Sequence, residues 1–290
     1  MRRAARGAHA GVMELQTNIT HRVILLPGSV LPAGPAYGAL IAALGDGVEA
    51  VAKDLEVYAG PKPPPGYSLD TEVAGVLRAA DARGWDTFHL VGYSGGGASA
   101  LAFAAKHAER LESLALLEPA WAGKWGWSEA HRALWARYRE LDGLPADEFM
   151  AGFVSLGVRP GVVAGLPVRG GEEPPWMALR PAGIRAFIRT FETYDLDRGA
   201  LARFAKPVYF ALGALSNPDD YGEIAERLSG VFPDFRLEVF AGRHHFDPPH
   251  RVEPDRVAAS LRALWDSTRP TIPRRKEGDA RDVGSSSSVA

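Results

Sequence analysis

The chain has 290 residues and a mass of 31.1 kDa, with 33 Lys+Arg against 35 Asp+Glu and a formal net charge of −2. That balance leaves no excess positive field to recruit phosphate, so neither a nucleic acid nor an anionic membrane surface is an expected partner. The sequence contains no cysteine, which excludes disulfides, thiolate catalysis and Cys-based metal sites, and fits a reducing, cytoplasmic setting.

Residues 1–11 (MRRAARGAHAG) are basic but lack the apolar stretch of a secretory signal, and read as a disordered lead-in. No apolar run is long enough for a membrane-spanning helix. Residues 22–26 (RVILL) form a short apolar run that stops at Pro27-Gly28, the pattern of a buried strand and a turn. Helical spacing follows over 35–44, and Val48 to Leu55 reads as a second strand. The proline-rich GPKPPPGYS at 60–68 reads as a loop, because proline fixes φ and removes donors. Leu69, Val73, Val76, Leu77 and Ala80 then share one face of a helix over 69–83.

A third strand, Thr87 to Val91, runs directly into Gly92-Tyr93-Ser94-Gly95-Gly96-Gly97 and an alanine-rich helix reaching about His107. Leu111 to Leu117 makes a fourth strand and ends at Glu118-Pro119. Pro207 to Leu212 and Phe235 to Phe240 are a fifth and a sixth, with helices over 219–229 and 250–266. Short continuous apolar strands alternating with helices predict an α/β fold: a doubly wound, mostly parallel sheet covered on both faces. The segment 120–200 breaks this rhythm, with helical patterns, Gly/Pro breaks and no clear strand. It holds five of the seven tryptophans: Trp121, Trp125, Trp127, Trp135 and Trp176. The expected organisation is a core of 12–119 and 201–267, a helical cap over 120–200, and a disordered polar tail over 268–290. Pro160-Gly161 and Gly170-Gly171 are candidate hinges of that cap.

Gly92-Tyr93-Ser94-Gly95-Gly96 matches G-x-S-x-G between a strand and a helix. That context demands a sharp turn that exposes the Ser94 hydroxyl, with small residues where strand and helix pass closely. The helix behind it aims free N–H groups at a developing oxyanion. Together with Pro27-Gly28-Ser29, the strand end at Glu118 and His244-His245-Phe246 after the last strand, this elbow resembles the α/β-hydrolase family. The resemblance covers roughly residues 12–267, the cap matching in position only.

The resemblance implies the chain order serine, acid, histidine, with Ser94 as the catalytic nucleophile. The base falls on His245 or His244. The family's usual His-apolar order favours His245, which Phe246 follows. Asp247-Pro248 looks like the N-cap of the last helix, and His250 like an exposed helix residue. The acid is less determined. The family's usual G-x-x-D after the cap reads Gly213-Ala214-Leu215-Ser216 here, with no aspartate. Glu118 occupies the place used by relatives whose acid lies one strand earlier, while Asp219 and Asp220 come a few residues late. The resemblance places the oxyanion hole at the backbone N–H of Gly95 and of Ser29 or Val30. Tyr93, Trp121 and Trp125 are candidate substrate contacts.

A serine at the elbow argues for acyl transfer over epoxide or halide chemistry, which uses an aspartate there. The expectation is a cofactor-free, metal-free serine hydrolase of the carboxylesterase type acting on a small ester. Alternatives are a ligand-binding or signalling protein on the same fold and a cofactor-free C–C hydrolase or lyase. Gly95-Gly96-Gly97-Ala98-Ser99-Ala100 also imitates G-x-G-x-x-A with Glu118 beyond it, the outline of a dinucleotide site. Two strands already precede it, which argues against that reading.

Overall fold

The computed structural model describes residues 21–165 and 174–268. The expected lead-in, almost all of the expected tail, and Gly170-Gly171 lie outside the described residues.

In chain order the elements are β1 (His21–Leu26), α1 (Ala33–Leu44), β2 (Val48–Ala52), α2 (Leu69–Asp81), β3 (Phe88–Ser94), α3 (Gly95–Lys106) and β4 (Leu111–Pro119). Then come α4 (Glu129–Glu140), α5 (Ala146–Leu156), α6 (Arg180–Thr193), α7 (Arg198–Ala202), β5 (Val208–Gly213), α8 (Glu223–Ser229), β6 (Phe235–Phe240), α9 (Pro249–Val252) and α10 (Pro254–Asp266). Three expectations shift in detail. The second strand stops at Ala52. The helix expected over 219–229 begins as a π-turn over 218–222. The helix expected over 250–266 breaks between Val252 and Pro254, because Pro254 cannot supply an N–H to the turn before it.

The six strands form one parallel sheet in the order β2-β1-β3-β4-β5-β6. Strand residues alternate between two apolar layers, which is why these strands read as unbroken hydrophobic runs. Ile24, Leu26, Leu90, Leu114, Leu116 and Phe210 face the layer shared with α2 and α3. Val23, Leu25, Val91, Ala115, Leu117 and Ala211 face the layer shared with α1 and α10. Fully burying each of the Val, Leu, Ile and Phe side chains among them contributes about 1.5–3 kcal/mol.

The chain adds β2 on one side of β1 and β3 on the other, so the winding reverses between β1 and β3. At such a reversal the loops beyond the carboxyl ends of the two strands diverge and leave a crevice. The segment Pro27-Gly28-Ser29 and Ser94 stand at that place. Above it lies a helical insertion of α4, α5 and α6, between β4 and β5 as the sequence suggests. Its own core joins Phe149, Met150, Val154, Ile184 and Ile188 with Val30 and Phe246 of the sheet's loops. An isolated bridge, Val158 with Ser216, is its strand-like pairing among the described residues. The bond from Arg159 N–H to the Leu215 carbonyl (2.9 Å) and that from Asn217 Nδ2 to the Leu156 carbonyl (2.8 Å) tie the insertion to the loop after β5.

The central helix α3 is buried on all sides from Gly95 to Ala104. A Cβ on Gly96 would overlap the carbonyl oxygens of Leu26 and Pro27, and one on Gly97 would come within 2.7 Å of Pro119 Cα. These glycines exist for close packing of helix against strand ends, and so the dinucleotide-like pattern is accounted for without a nucleotide. Gly96→Ala is expected to cost about 1–3 kcal/mol in urea unfolding, because backbone hems the new methyl in. Gly38→Ala, on the open face of α1 with nothing within 4 Å, is expected to be neutral or to gain up to about 1 kcal/mol.

Candidate active site

Ser94 sits at φ 53° and ψ −119°, and Glu118 at φ 48°. They are the two non-glycine residues with positive φ among the described residues. Side chains rarely adopt this region, at a cost of about 1–3 kcal/mol each, so the surrounding fold must impose it. The imposing contacts are local. Gly96 N–H bonds the Pro27 carbonyl (3.1 Å), and Ala120 N–H bonds the Ser94 carbonyl (2.9 Å), which locks the two strand ends side by side.

Three buried side chains meet there. His245 Nε2 lies 3.0 Å from Ser94 Oγ, and His245 Nδ1 lies 3.0 Å from Glu118 Oε2. Ser94, Glu118 and His245 are 4%, 2% and 1% exposed. A carboxylate this deep is stable only when paired and hydrogen-bonded. Glu118 is both: its Oε1 accepts from Gly213 N–H (2.7 Å) and from Ser216 Oγ (2.6 Å). Ser216 is the residue standing where the family's usual pattern has aspartate. Here it supplies a donor to the carboxylate that reaches in from the neighbouring strand. Asp219 is exposed and Asp220 turns elsewhere, so the structure brings Glu118, and neither of the two aspartates, to the imidazole.

The His245 ring is held by its neighbours. Tyr221 stacks on it with centroids 4.1 Å apart, and Phe246 meets it edge-on at 5.1 Å. The Tyr93 hydroxyl donates to the His245 carbonyl. Tyr93 therefore supports the histidine loop and does not line the cavity above Ser94, contrary to its expected substrate contact. His244 turns into its own loop, where its Nδ1 accepts from Phe246 N–H at 3.2 Å. Asp247 pairs with Arg243 (2.7 Å) and caps no helix, since α9 starts two residues later. His250 is fully buried, not exposed, with its ring against Tyr37 and Tyr93. Burial pushes its imidazole down to about 3, so it is neutral.

Gly95 opens α3, where the first N–H groups of a helix have no intrahelical acceptor. The Ser29 carbonyl accepts from the Tyr58 hydroxyl (2.8 Å). In a planar trans peptide the Val30 N–H then points the opposite way, so Tyr58 fixes its direction. A Cβ on Gly95 would stand 2.5 Å from Ser29 Oγ, which shows how closely the two loops approach.

The cavity above Ser94 contains about 380 Å³ of atom-free space, part of it open to solvent. Ser29, Trp135, Tyr138, Phe187, Phe191 and Tyr221 are among its walls. Trp121 and Trp125 lie instead in an outer groove with Trp127 and His131, and Trp135 and Phe191 line both spaces and so separate them. Of the inner aromatic walls, Trp135 belongs to the tryptophan-rich segment noted in the sequence. Ile184, Phe187, Ile188 and Phe191 do recur at helical spacing, which was a readable signal of a buried face.

One charged side chain also lines the cavity. Asp220 is 2% exposed. Burial pushes its carboxyl up to about 7, the Trp135 N–H opposing this and the negative Glu118 adding to it.

The sequence matches the family model described as the alpha/beta hydrolase family over residues 23–260, and the chain belongs to that family. No curated protein matches it. Its fold is similar to that of an esterase from Thermogutta terrifontis, at 18% identity and a TM-score of 0.63, covering 87% of this chain and 92% of that one. It is also similar to a carboxylesterase from Bacillus subtilis (17%, TM-score 0.57, covering 84% and 83%). A third similar structure is a meta-cleavage product hydrolase from Pseudomonas fluorescens (18%, TM-score 0.56, covering 86% and 92%). Among the described residues no helix is long and apolar enough to cross a membrane.

The raised Asp220 pKa has a consequence for stability. The unfolded carboxyl ionises near 3.8 and the folded one near 7, so the folded state holds the proton over that window. Stability falls by about 1.4 kcal/mol per pH unit as pH rises through the window, and is unaffected by this group below it. Asp220→Asn is therefore expected to gain stability over the unaltered protein at about pH 8 and to show no such gain at about pH 4, read from urea midpoints.

Proposed function

We propose that the protein is a serine hydrolase that cleaves a small carboxylic ester through Ser94, His245 and Glu118. The observation that carries this is the continuous buried relay from Ser94 Oγ to His245 to Glu118, with both links at 3.0 Å. Nucleophile, base and orienting acid are each within hydrogen-bond reach of the next, as acyl transfer requires.

In this mechanism Ser94 Oγ attacks the ester carbonyl carbon while its proton passes to His245 Nε2. The resulting imidazolium is stabilised by Glu118, which also holds Nδ1 in the donor tautomer. Negative charge develops on the carbonyl oxygen, where the N–H groups of Gly95 and Val30 receive it. Each such donor is worth about 3–4 kcal/mol in the transition state. The C–O bond to the alcohol then breaks and the alcohol leaves with the proton from His245. Water attacks the acyl-enzyme, giving its proton to His245. Ser94 regains a proton as the carboxylic acid departs. No step calls for a metal or cofactor.

The cavity above Ser94 is narrow and mostly apolar in its walls, which supports a small substrate. The helical insertion over 120–200 acts as the cap that sets the choice of substrate. The names of two structurally similar proteins, an esterase and a carboxylesterase, agree with this reading.

A fluorophosphonate probe is expected to label the protein and to leave Ser94→Ala unlabelled. Equal labelling of the two, or no turnover on a broad set of short-chain and aryl esters, would defeat the proposal. Glu118→Gln is expected to lower kcat by roughly ten-thousandfold, because the neutral amide neither fixes the tautomer nor stabilises the imidazolium. Asp219→Asn, at an exposed site, is expected to leave the rate unchanged.

A further inference from the structure

The ester mechanism leaves Asp220 without a task. It sits in the same cavity as Ser94, nearly sealed from solvent. Its Oδ1 accepts one hydrogen bond, a long one of 3.3 Å from Trp135 Nε1. His131 Nδ1 lies 3.8 Å away but bonds the Asp219 carbonyl at 2.8 Å. Burial pushes the His131 imidazole down, disfavouring its charged form. The charged groups that act on Asp220 are Glu118, Glu223 and Asp219, all acidic. Arg227 is paired with Glu223 at 3.1 Å. Among the described residues no lysine or arginine lies within ion-pairing distance of Asp220.

Apart from the hydroxyls of Ser29, Ser94, Tyr138 and Tyr221, the remaining walls are aromatic rings and aliphatic chains. Aromatic faces carry partial negative charge and attract cations, by about 2 kcal/mol where water is excluded. A buried carboxylate with one long donor, acidic neighbours and aromatic rings around it favours a cation over a neutral group. A neutral ligand does not compensate that charge. A small ammonium group does, because it pairs with the carboxylate and lies against the rings together.

We propose that Asp220 anchors a substrate bearing a protonated amine, whose ammonium rests on the carboxylate while its ester carbonyl reaches Ser94. The substrate class is then a small amino-substituted ester. This inference rests on the hydrolase reading of Ser94 for its chemistry, but the binding site can be tested without turnover.

The test uses the full chain carrying Ser94→Ala, with tryptophan indoles labelled with ¹⁵N. It is titrated at about pH 8 with n-butylammonium chloride and, separately, with 1-butanol. The Trp135 indole signal, assigned by its loss in Trp135→Phe, reports directly on the group that bonds Asp220. The ammonium is expected to bind about tenfold or more tightly than the alcohol and to move that signal. Adding Asp220→Asn is expected to abolish the preference while leaving 1-butanol binding in place, which also shows that the cavity remains folded. Equal or tighter binding of the alcohol would overturn the inference and assign Asp220 as a neutral donor to an uncharged substrate. A preference that survives Asp220→Asn, or binding of neither ligand, would overturn it as well. Fluorophosphonate labelling of the unaltered protein separates the two readings. Labelling without an ammonium preference defeats the anchor alone, and an ammonium preference without labelling defeats the hydrolase alone.

Discussion

A buried carboxylate organises this molecule. Glu118 stands at the end of a central strand, almost without solvent, and ionised it must find donors on every side. It finds them in three chain segments: the histidine loop after β6 through His245, the end of β5 through Gly213, and the loop beyond it through Ser216. One side chain thus pins the C-terminal edges of β4, β5 and β6 together. Its positive φ is the geometric cost of turning from a sheet strand toward that meeting point.

Ser94 makes the matching arrangement on the next strand. Its register against β4 slips at the last residue, so that Ser94 pairs with Pro119. The slip brings the two strained residues close together across neighbouring strands, and the glycines behind Ser94 let α3 settle onto β1 and β4 without filling the gap. Strain, close packing and the buried charge are therefore parts of a single construction. Any side chain that separated α3 from the strand ends would relax the elbow and move the serine away from the imidazole.

The insertion adds what the sheet lacks. The strand ends offer polar groups in fixed positions, while α4 and α6 bring down an aromatic and aliphatic ceiling. Trp135 and Phe191 divide the space above Ser94 from the groove lined by Trp121 and Trp125. The loop after β5 joins the two layers, since Ser216 holds Glu118 while Asn217 holds the α5 end and Asp220 lines the cavity. Under the proposed function, residues of one loop would thus serve both chemistry and selectivity, consistent with function residing in sites grafted onto a common fold.

The sequence by itself determined the local parts. Continuous apolar runs marked the parallel strands, because a strand covered on both faces needs no polar alternation. A glycine-rich turn between strand and helix marked Ser94, because few other sequences allow that backbone. What it left open was every choice that depends on distance between remote segments. Glu118, Asp219 and Asp220 are equivalent as letters; only the pairing of β4 beside β5 carries the first to His245 and leaves the third facing the cavity. Tyr93 stands beside the elbow serine and Trp121 and Trp125 in the tryptophan-rich cap, yet the wall of the cavity above Ser94 comes from α4, α6 and the turn at Tyr221. His250, expected on an exposed helix face, is pressed by α9 against Tyr37 and Tyr93. Periodicity and turn chemistry are local and can be read along the chain. Burial, pairing and the direction a side chain faces are set by packing between segments far apart in sequence, and that only the tertiary structure decides.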